Sequence, residues 1–148
     1  MRETYEVEVK IPIQDEGVII KEILQAKGKR LRSEVQSDMY FDHPCRSFSE
    51  TDESVRVRSC TSSEELASFD SKQISVELTY KGPKIDKTTK TRLEYTTKVD
   101  GVESVVAILQ HIGFRHVATI TKHRDFYDLN GITISIDDVD DVGLFIEF

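Results

Sequence analysis

The sequence predicts an α+β domain built mainly from antiparallel strands, about eight of them, with two principal helices. Three observations carry that expectation. Most segments alternate apolar and charged residues with period two, the pattern of a strand with one buried face. Two segments instead repeat apolar residues at helical spacing. Asn130-Gly131 lies between two alternating runs, and that dipeptide favours the tight turn of a hairpin.

Residues 4–11 alternate Glu6, Glu8 and Lys10 against Val7, Val9 and Ile11, a strand that Pro12 should close. Residues 15–27 place Val18, Ile19, Ile23, Leu24 and Ala26 on a helical stripe, with Asp15 as cap and Gly28 as stop. Residues 34–41 predict a strand, 42–53 a polar loop, and 54–59 a strand with Val55 and Val57 opposing Arg56 and Arg58. Residues 60–72 predict a mobile loop with a short helical turn. A strand over 73–81 should end at the Gly82-Pro83 turn signal. Residues 90–99 alternate again, and 102–112 carry Val102, Val105, Val106, Leu109 and Ile112 on one helical face, stopped by Gly113. Strands are expected over 117–128, 131–137 and 143–148.

A chain of 148 residues is one ordinary domain, and no linker or repeat divides 1–148. The net charge of −7 argues against a general nucleic-acid partner, which needs basic surface. It does not constrain a pocket, where local charge can oppose the total. Cys45 and Cys60 stand in no metal or redox spacing, and no apolar run approaches the ~20 residues of a membrane span. With a charged N-terminus unlike a signal peptide, the expectation is a cytoplasmic protein with neither a membrane nor a nucleic-acid partner.

The charged strand faces carry the chemistry. They hold Glu6, Glu8, Lys10, Arg56, Arg58, Glu77, Lys81, Arg92, Glu94, Lys122, Arg124, Asp137 and Glu147. Side chains two apart on a strand share a face, about 7 Å apart. Two arrangements satisfy this pattern. The charged face can meet solvent while the apolar face packs on helices, or the sheet can close with the charged face inward. Arg56-x-Arg58 and Lys122-x-Arg124 each set two cations on one face with no carboxylate between them. A polyphosphate would relieve that crowding, since guanidinium forks match its oxygens. Glu6 and Glu8 could hold a Mg²⁺ or Mn²⁺ ion that also takes phosphate oxygens.

Together these segments resemble the CYTH, or triphosphate-tunnel, family. The resemblance lies in Glu6-Val7-Glu8-Val9-Lys10, Gln36-Ser37-Asp38-Met39-Tyr40-Phe41-Asp42, Ser54-Val55-Arg56-Val57-Arg58 and Leu78-Thr79-Tyr80-Lys81-Gly82-Pro83. It continues through Thr91-Arg92-Leu93-Glu94, Lys122-His123-Arg124, Ile136-Asp137-Asp138-Val139 and Gly143-Leu144-Phe145-Ile146-Glu147, in the family's order. Many members carry Glu-x-Glu in the last strand, whereas this sequence has Glu147-Phe148.

The resemblance implies a closed eight-stranded antiparallel barrel with flanking helices. It implies metal ligands among Glu6, Glu8, Glu94, Asp137 and Glu147, with Mg²⁺ or Mn²⁺ as cofactor. It implies a triphosphate gripped by Lys10, Arg56, Arg58, Lys81, Arg92, Lys122 and Arg124. Glu6, Glu8 and Lys10 are the expected catalytic groups, Lys10 orienting the nucleophile. Residues 40–46 and 51–56 look most like members labelled class IV adenylyl cyclase, which convert ATP to cyclic AMP and pyrophosphate and imply a monomer or homodimer. Hydrolysis of inorganic tripolyphosphate or thiamine triphosphate is the alternative within the class. A non-catalytic polyphosphate- or nucleotide-binding module is the alternative outside it.

The remaining polar groups point elsewhere. His43, His111, His116 and His123 lack metal spacing, and His123 alternates out of the Lys122/Arg124 face. Lys27, Lys29, Arg30 and Arg32 predict a solvated basic cluster. The organic part of a substrate would be read by loops over 59–73 or 83–91.

Overall fold

In the computed structural model, which describes residues 3–63, 73–86 and 88–148, the described residues form nine strands and three helices. In chain order these are β1 (Thr4–Glu6), β2 (Lys10–Ile13), α1 (Glu16–Gln25), β3 (Lys29–Asp42), α2 (Phe48–Thr51), β4 (Ser54–Ser62) and β5 (Gln73–Asp86). β6 (Thr91–Val99), α3 (Val102–His111), β7 (Arg115–Leu129), β8 (Ile132–Val139) and β9 (Gly143–Glu147) follow. The strands hydrogen-bond in the order β1-β6-β5-β4-β3-β7-β8-β9-β2.

This corrects the expectation of eight strands closed into a ring. The sheet has nine strands, and its order has two ends, β1 and β2. The extra strand arises at residues 7–9, which leave the ladder. There the chain changes partner. Thr4–Glu6 pair with β6, Glu8 N–H donates to Thr89 O at 3.3 Å, and Lys10–Ile13 pair with β9. Alternation continues through the break, so the predicted single strand over 4–11 could not reveal it. Pro12 sits inside β2 opposite Phe145, tolerated because β2 ends the strand order and one of its edges needs no donor.

Three other boundaries differ. β5 runs through Gly82-Pro83 to Asp86, and the predicted turn becomes register shifts between Lys81 and Lys84 and between Lys84 and Asp86. Proline removes a ladder donor there, and a bulge absorbs the loss. β3 begins at Lys29, so Lys29, Arg30 and Arg32 lie on a strand. The loop over 42–53 contains the single turn α2. Of the loop predicted over 60–72, residues 64–72 lie outside the described residues, and β4 continues to Ser62.

The local signals otherwise act as expected. Asp15 Oδ1 accepts from Gly17 N–H at 2.9 Å and caps α1. Lys27, at φ 68°, takes the left-handed position after α1. Gly28 serves packing, because a Cβ there would fall 2.5 Å from Ile23 Cγ2. Asn130 and Gly131 both have positive φ, 54° and 82°, as a type I′ hairpin requires.

Contacts group the chain into two compact units. The first comprises Met1–Glu8, Ser37–Cys60 and Gln73–Ile120. Its core is Phe41, Phe48, Val55, Val57, Val76, Val105 and Leu109, so α3 buries its Val105 and Leu109 face there. Cys45 is exposed and Cys60 buried in this unit, and neither forms a disulfide. The second comprises Val9–Gln36, Thr61–Lys72 and Thr121–Phe148. Its core is Ile23 of α1 with Tyr127, Ile134 and Ile136, joined by Ile13, Ile19, Ile20, Leu129 and Ile146. Among the described residues no helix is long and apolar enough to cross a membrane.

Candidate functional site

Each unit gathers its own set of buried and partly buried ionic side chains. In the first, Lys81 of β5 stands opposite Glu94 of β6, and Glu6 of β1 stands opposite Arg92 of β6. Lys81 Nζ lies 2.6 Å from Glu6 Oε2 and 3.8 Å from Glu94 Oε2. The Lys81–Glu6 contact is close but off the hydrogen-bonding direction, since Glu6 Oε2 is buried without an aligned donor. Burial pushes the Glu6 pKa up, yet the Lys81 ammonium, contact with Glu94 and the nearby Arg56 charge outweigh it and hold the pKa below the usual carboxylate value.

Arg56 and Arg58 share a face of β4 but have different surroundings. Arg58 donates through Nε and Nη2 to the two oxygens of Asp38, at 2.7 and 2.8 Å, a bidentate pair. Burial opposes its charge, but Asp38 outweighs this and raises the guanidinium pKa. Arg56 is 9% exposed, and among the described residues no carboxylate or hydrogen bond holds it; its Nε donor is buried without an acceptor. Arg92 gives Nη2 to Asp52 at 3.0 Å, while its Nε is likewise buried and unsatisfied. Asp52, left-handed at φ 57°, also accepts from Lys84 N and Nζ at 2.9 and 2.7 Å. The Lys84 hydrogen bonds are the main cause that lowers its pKa to about 2.

In the second unit, Asp137 of β8 is fully buried and faces Arg124 across the β7–β8 ladder. Arg124 Nε and Nη2 each lie 2.5 Å from its two oxygens, and Lys122 Nζ lies 3.4 Å away. Arg124 Nη2 also donates to Glu147 Oε2 at 3.0 Å. Lys10 Nζ lies 3.3 Å from Glu147 Oε1 and 4.8 Å from the centre of the Phe145 ring. Burial favours a neutral Glu147, but Arg124, Lys122 and Lys10 prevail and lower its pKa to about 2.

The sequence-predicted residues therefore fall into defined places. Glu6, Lys81 and Glu94 come together, with Arg56 close enough to act on Glu6 through space. Lys10, Lys122, Arg124, Asp137 and Glu147 come together. Glu8 is half-buried in the break between β1 and β2, outside either strand. His123 is half-exposed, as its alternation requires. Asp38, Asp52, Glu34 and Gln36 were not predicted as site residues. The period-two polar run Glu34, Gln36, Asp38 on β3 was the available signal for three of them. A cavity of about 340 Å³ in the first unit is lined by Tyr40, Phe41, Phe48 and Val117 with Asp42 and Glu53. Its carboxylates are committed to Phe48 N–H and to Arg46 and Tyr80.

Among the described residues no group of three or more acidic, histidine or cysteine side chains is placed to enclose a metal ion. Mg²⁺ does not require such a cage. It is commonly held by one or two carboxylates together with substrate phosphates and water. Glu6 and Glu94, with the unaligned buried oxygen of Glu6, fit that lesser demand.

The family pattern described as CYTH domain matches residues 4–148. A Methanocaldococcus jannaschii protein named "Putative adenylate cyclase MJ0240" is 38% identical over 142 residues, covering 96% of this chain and 74% of that protein. Among solved structures, the PH1819 protein of Pyrococcus horikoshii OT3 aligns with a TM-score of 0.81 and 36% identity, over 97% of this chain and 76% of the other. The PH1012 protein of the same organism, at 24% identity and TM-score 0.75 over 99% and 76% of the two chains, shares the fold. With the pattern matched through both ionic clusters and a relative of 38% identity across nearly its whole length, the chain belongs to the CYTH domain family.

Proposed function

We propose that the protein is a divalent-metal-dependent enzyme acting on a triphosphate, converting ATP to cyclic AMP and pyrophosphate. The observation that carries this is the pair of buried, acceptor-less donors on Arg56 and Arg92. A buried N–H left unsatisfied costs about 1–3 kcal/mol, more on a charged group. Phosphate oxygens are acceptors of the right charge and geometry to remove that penalty. The name of the 38%-identical relative supports the cyclase form of the reaction.

The chain's own groups divide the work. Arg56 and Arg92 offer their free Nε donors, and Lys81 its charge, to phosphate oxygens. Arg58 is committed to Asp38, so its charge acts at longer range. Lys122 and Arg124, held in place by Asp137 and Glu147, are the cations that the second unit offers to phosphate oxygens. Lys10, anchored by Glu147, orients the nucleophile. The 3′-hydroxyl gives up its proton to water, its oxygen bonds to the α-phosphorus, the α–β bridging bond breaks, and pyrophosphate leaves with the negative charge these cations stabilise. Glu6 and Glu94 are the carboxylates of the first unit best suited to hold Mg²⁺ or Mn²⁺, with Glu8 as a further acidic group there; Asp137 and Glu147 are bonded to Arg124 in the second unit. The bound ion would neutralise phosphate charge and lower the pKa of the attacking hydroxyl.

Incubation with ATP and Mg²⁺ or Mn²⁺, followed by separation of the products, tests this directly. Cyclic AMP and pyrophosphate should form in equal amounts. Arg56→Ala should reduce the rate roughly 10²–10³-fold, the usual loss when one preorganised donor to developing charge is removed. Orthophosphate without cyclic nucleotide would replace cyclisation by hydrolysis. Binding of triphosphates without turnover would reduce the protein to a binding module.

A further inference from the structure

Gln36 and Glu34 form a buried polar pair on β3 that the reaction above does not use. Gln36 is 2% exposed and Glu34 7%. Gln36 Nε2 donates to Glu34 Oε1 at 2.6 Å. That bond fixes the amide, because a carboxylate can only accept and so must face the NH₂ group. The opposite end, Gln36 Oε1, is buried with no hydrogen-bond partner among the described residues. Arg32 Nε, half-exposed, lies 3.6 Å from Glu34 Oε2.

The pair shares a face with the phosphate-binding cations of its own unit. β3 neighbours β7, and the Ser33 hydroxyl bonds the Asp125 carboxylate across the two strands. Ser33 and Asp125 therefore point to one side of the sheet. By period-two alternation, Glu34 and Gln36 on β3, and Lys122 and Arg124 on β7, point to the other.

The chemistry of the missing partner follows from the pair's own charges. Triphosphate oxygens are acceptors, and both Gln36 Oε1 and Glu34 would repel them. A divalent cation at Gln36 Oε1 would lack a carboxylate beside it among the described residues, since Glu34 is bonded at the opposite, Nε2 end of the amide and its second oxygen lies 3.6 Å from Arg32 Nε. What fits a buried amide acceptor is a neutral or cationic hydrogen-bond donor.

We propose that Gln36, oriented by Glu34, binds a hydroxyl or amino group on the organic part of the substrate. The substrate class is then an organic triphosphate, such as a nucleoside triphosphate, and not inorganic tripolyphosphate. This rests on the triphosphate reading given above. It also moves recognition of the organic group from loops to a strand of the sheet.

The test compares the Kd for ATP and for tripolyphosphate, under one metal, in the native protein and in Gln36→Leu. The native protein should prefer ATP. The variant should lose roughly tenfold or more on ATP, the range for a lost hydrogen bond to a buried acceptor, and stay within about twofold on tripolyphosphate. Gln36→Met, closer in shape, carries the same comparison if the leucine variant does not fold. Equal losses on both substrates would assign Gln36 a structural role and overturn the proposal. Binding of tripolyphosphate but not ATP by the native protein would overturn it while leaving the triphosphate reading intact. Failure to bind either compound would remove both.

Discussion

Glu147 shows how a single side chain links the site to stability. Its carboxylate is 13% exposed, within reach of Arg124 and Lys10. The native pKa of about 2 lies well below the ordinary value of 4.5. A depressed carboxylate stabilises the folded state fully above its unfolded pKa, and that contribution disappears as pH falls toward the native value. The native protein should therefore lose stability progressively from about pH 5 to pH 2. Urea titrations at pH 7 should find Glu147→Gln weaker by up to about 3 kcal/mol, with a flatter decline on acidification. Identical pH profiles for the two proteins would show that the cations do not act on this group. Should phosphate bind the same cations as proposed, ligand and carboxylate would compete for Arg124, and the pH dependence of binding would carry part of the same linkage.

At the scale of elements, α3 offers the simplest manipulation. Gly101 occupies its N-cap with extended backbone, φ −160°, and no side-chain cap, and a Cβ added there would meet no atom within 4 Å. Gly101→Ser should supply the missing cap and restrict the unfolded chain, stabilising the protein by a few tenths to about 1 kcal/mol. Thermal melting measures the gain, and a lowered Tm would mean that the new hydroxyl cannot reach the first-turn amides. Alternation and helical spacing located both long helices and most strands, because burying one face is a local property of the sequence. Residues 7–9 escaped because Glu6, Val7 and Glu8 still alternate while their hydrogen-bond partners change. Gly82-Pro83 misled because the ladder to β6 absorbs the proline by shifting register. The site divides in the same way. Its cations were visible as repeated charges, but Arg56 and Arg58 are indistinguishable along the strand. Only the placement of Asp38 on the neighbouring β3 neutralises one and leaves the other.

At the scale of the molecule, two compact units have separate hydrophobic cores and separate ionic clusters. Cooperative segments of a protein can open with different free energies. The two thiols lie at different depths of the first unit, Cys45 at the surface and Cys60 6% exposed. A maleimide should therefore modify Cys45 at once and Cys60 only when β4 loosens, so the second, slower modification timed by mass spectrometry reports the loosening of β4. Rapid double labelling of the native protein would refute this difference in depth. The chain thus carries its own stopwatch: every alkylated Cys60 records a moment at which the strand bearing Arg56 had come undone.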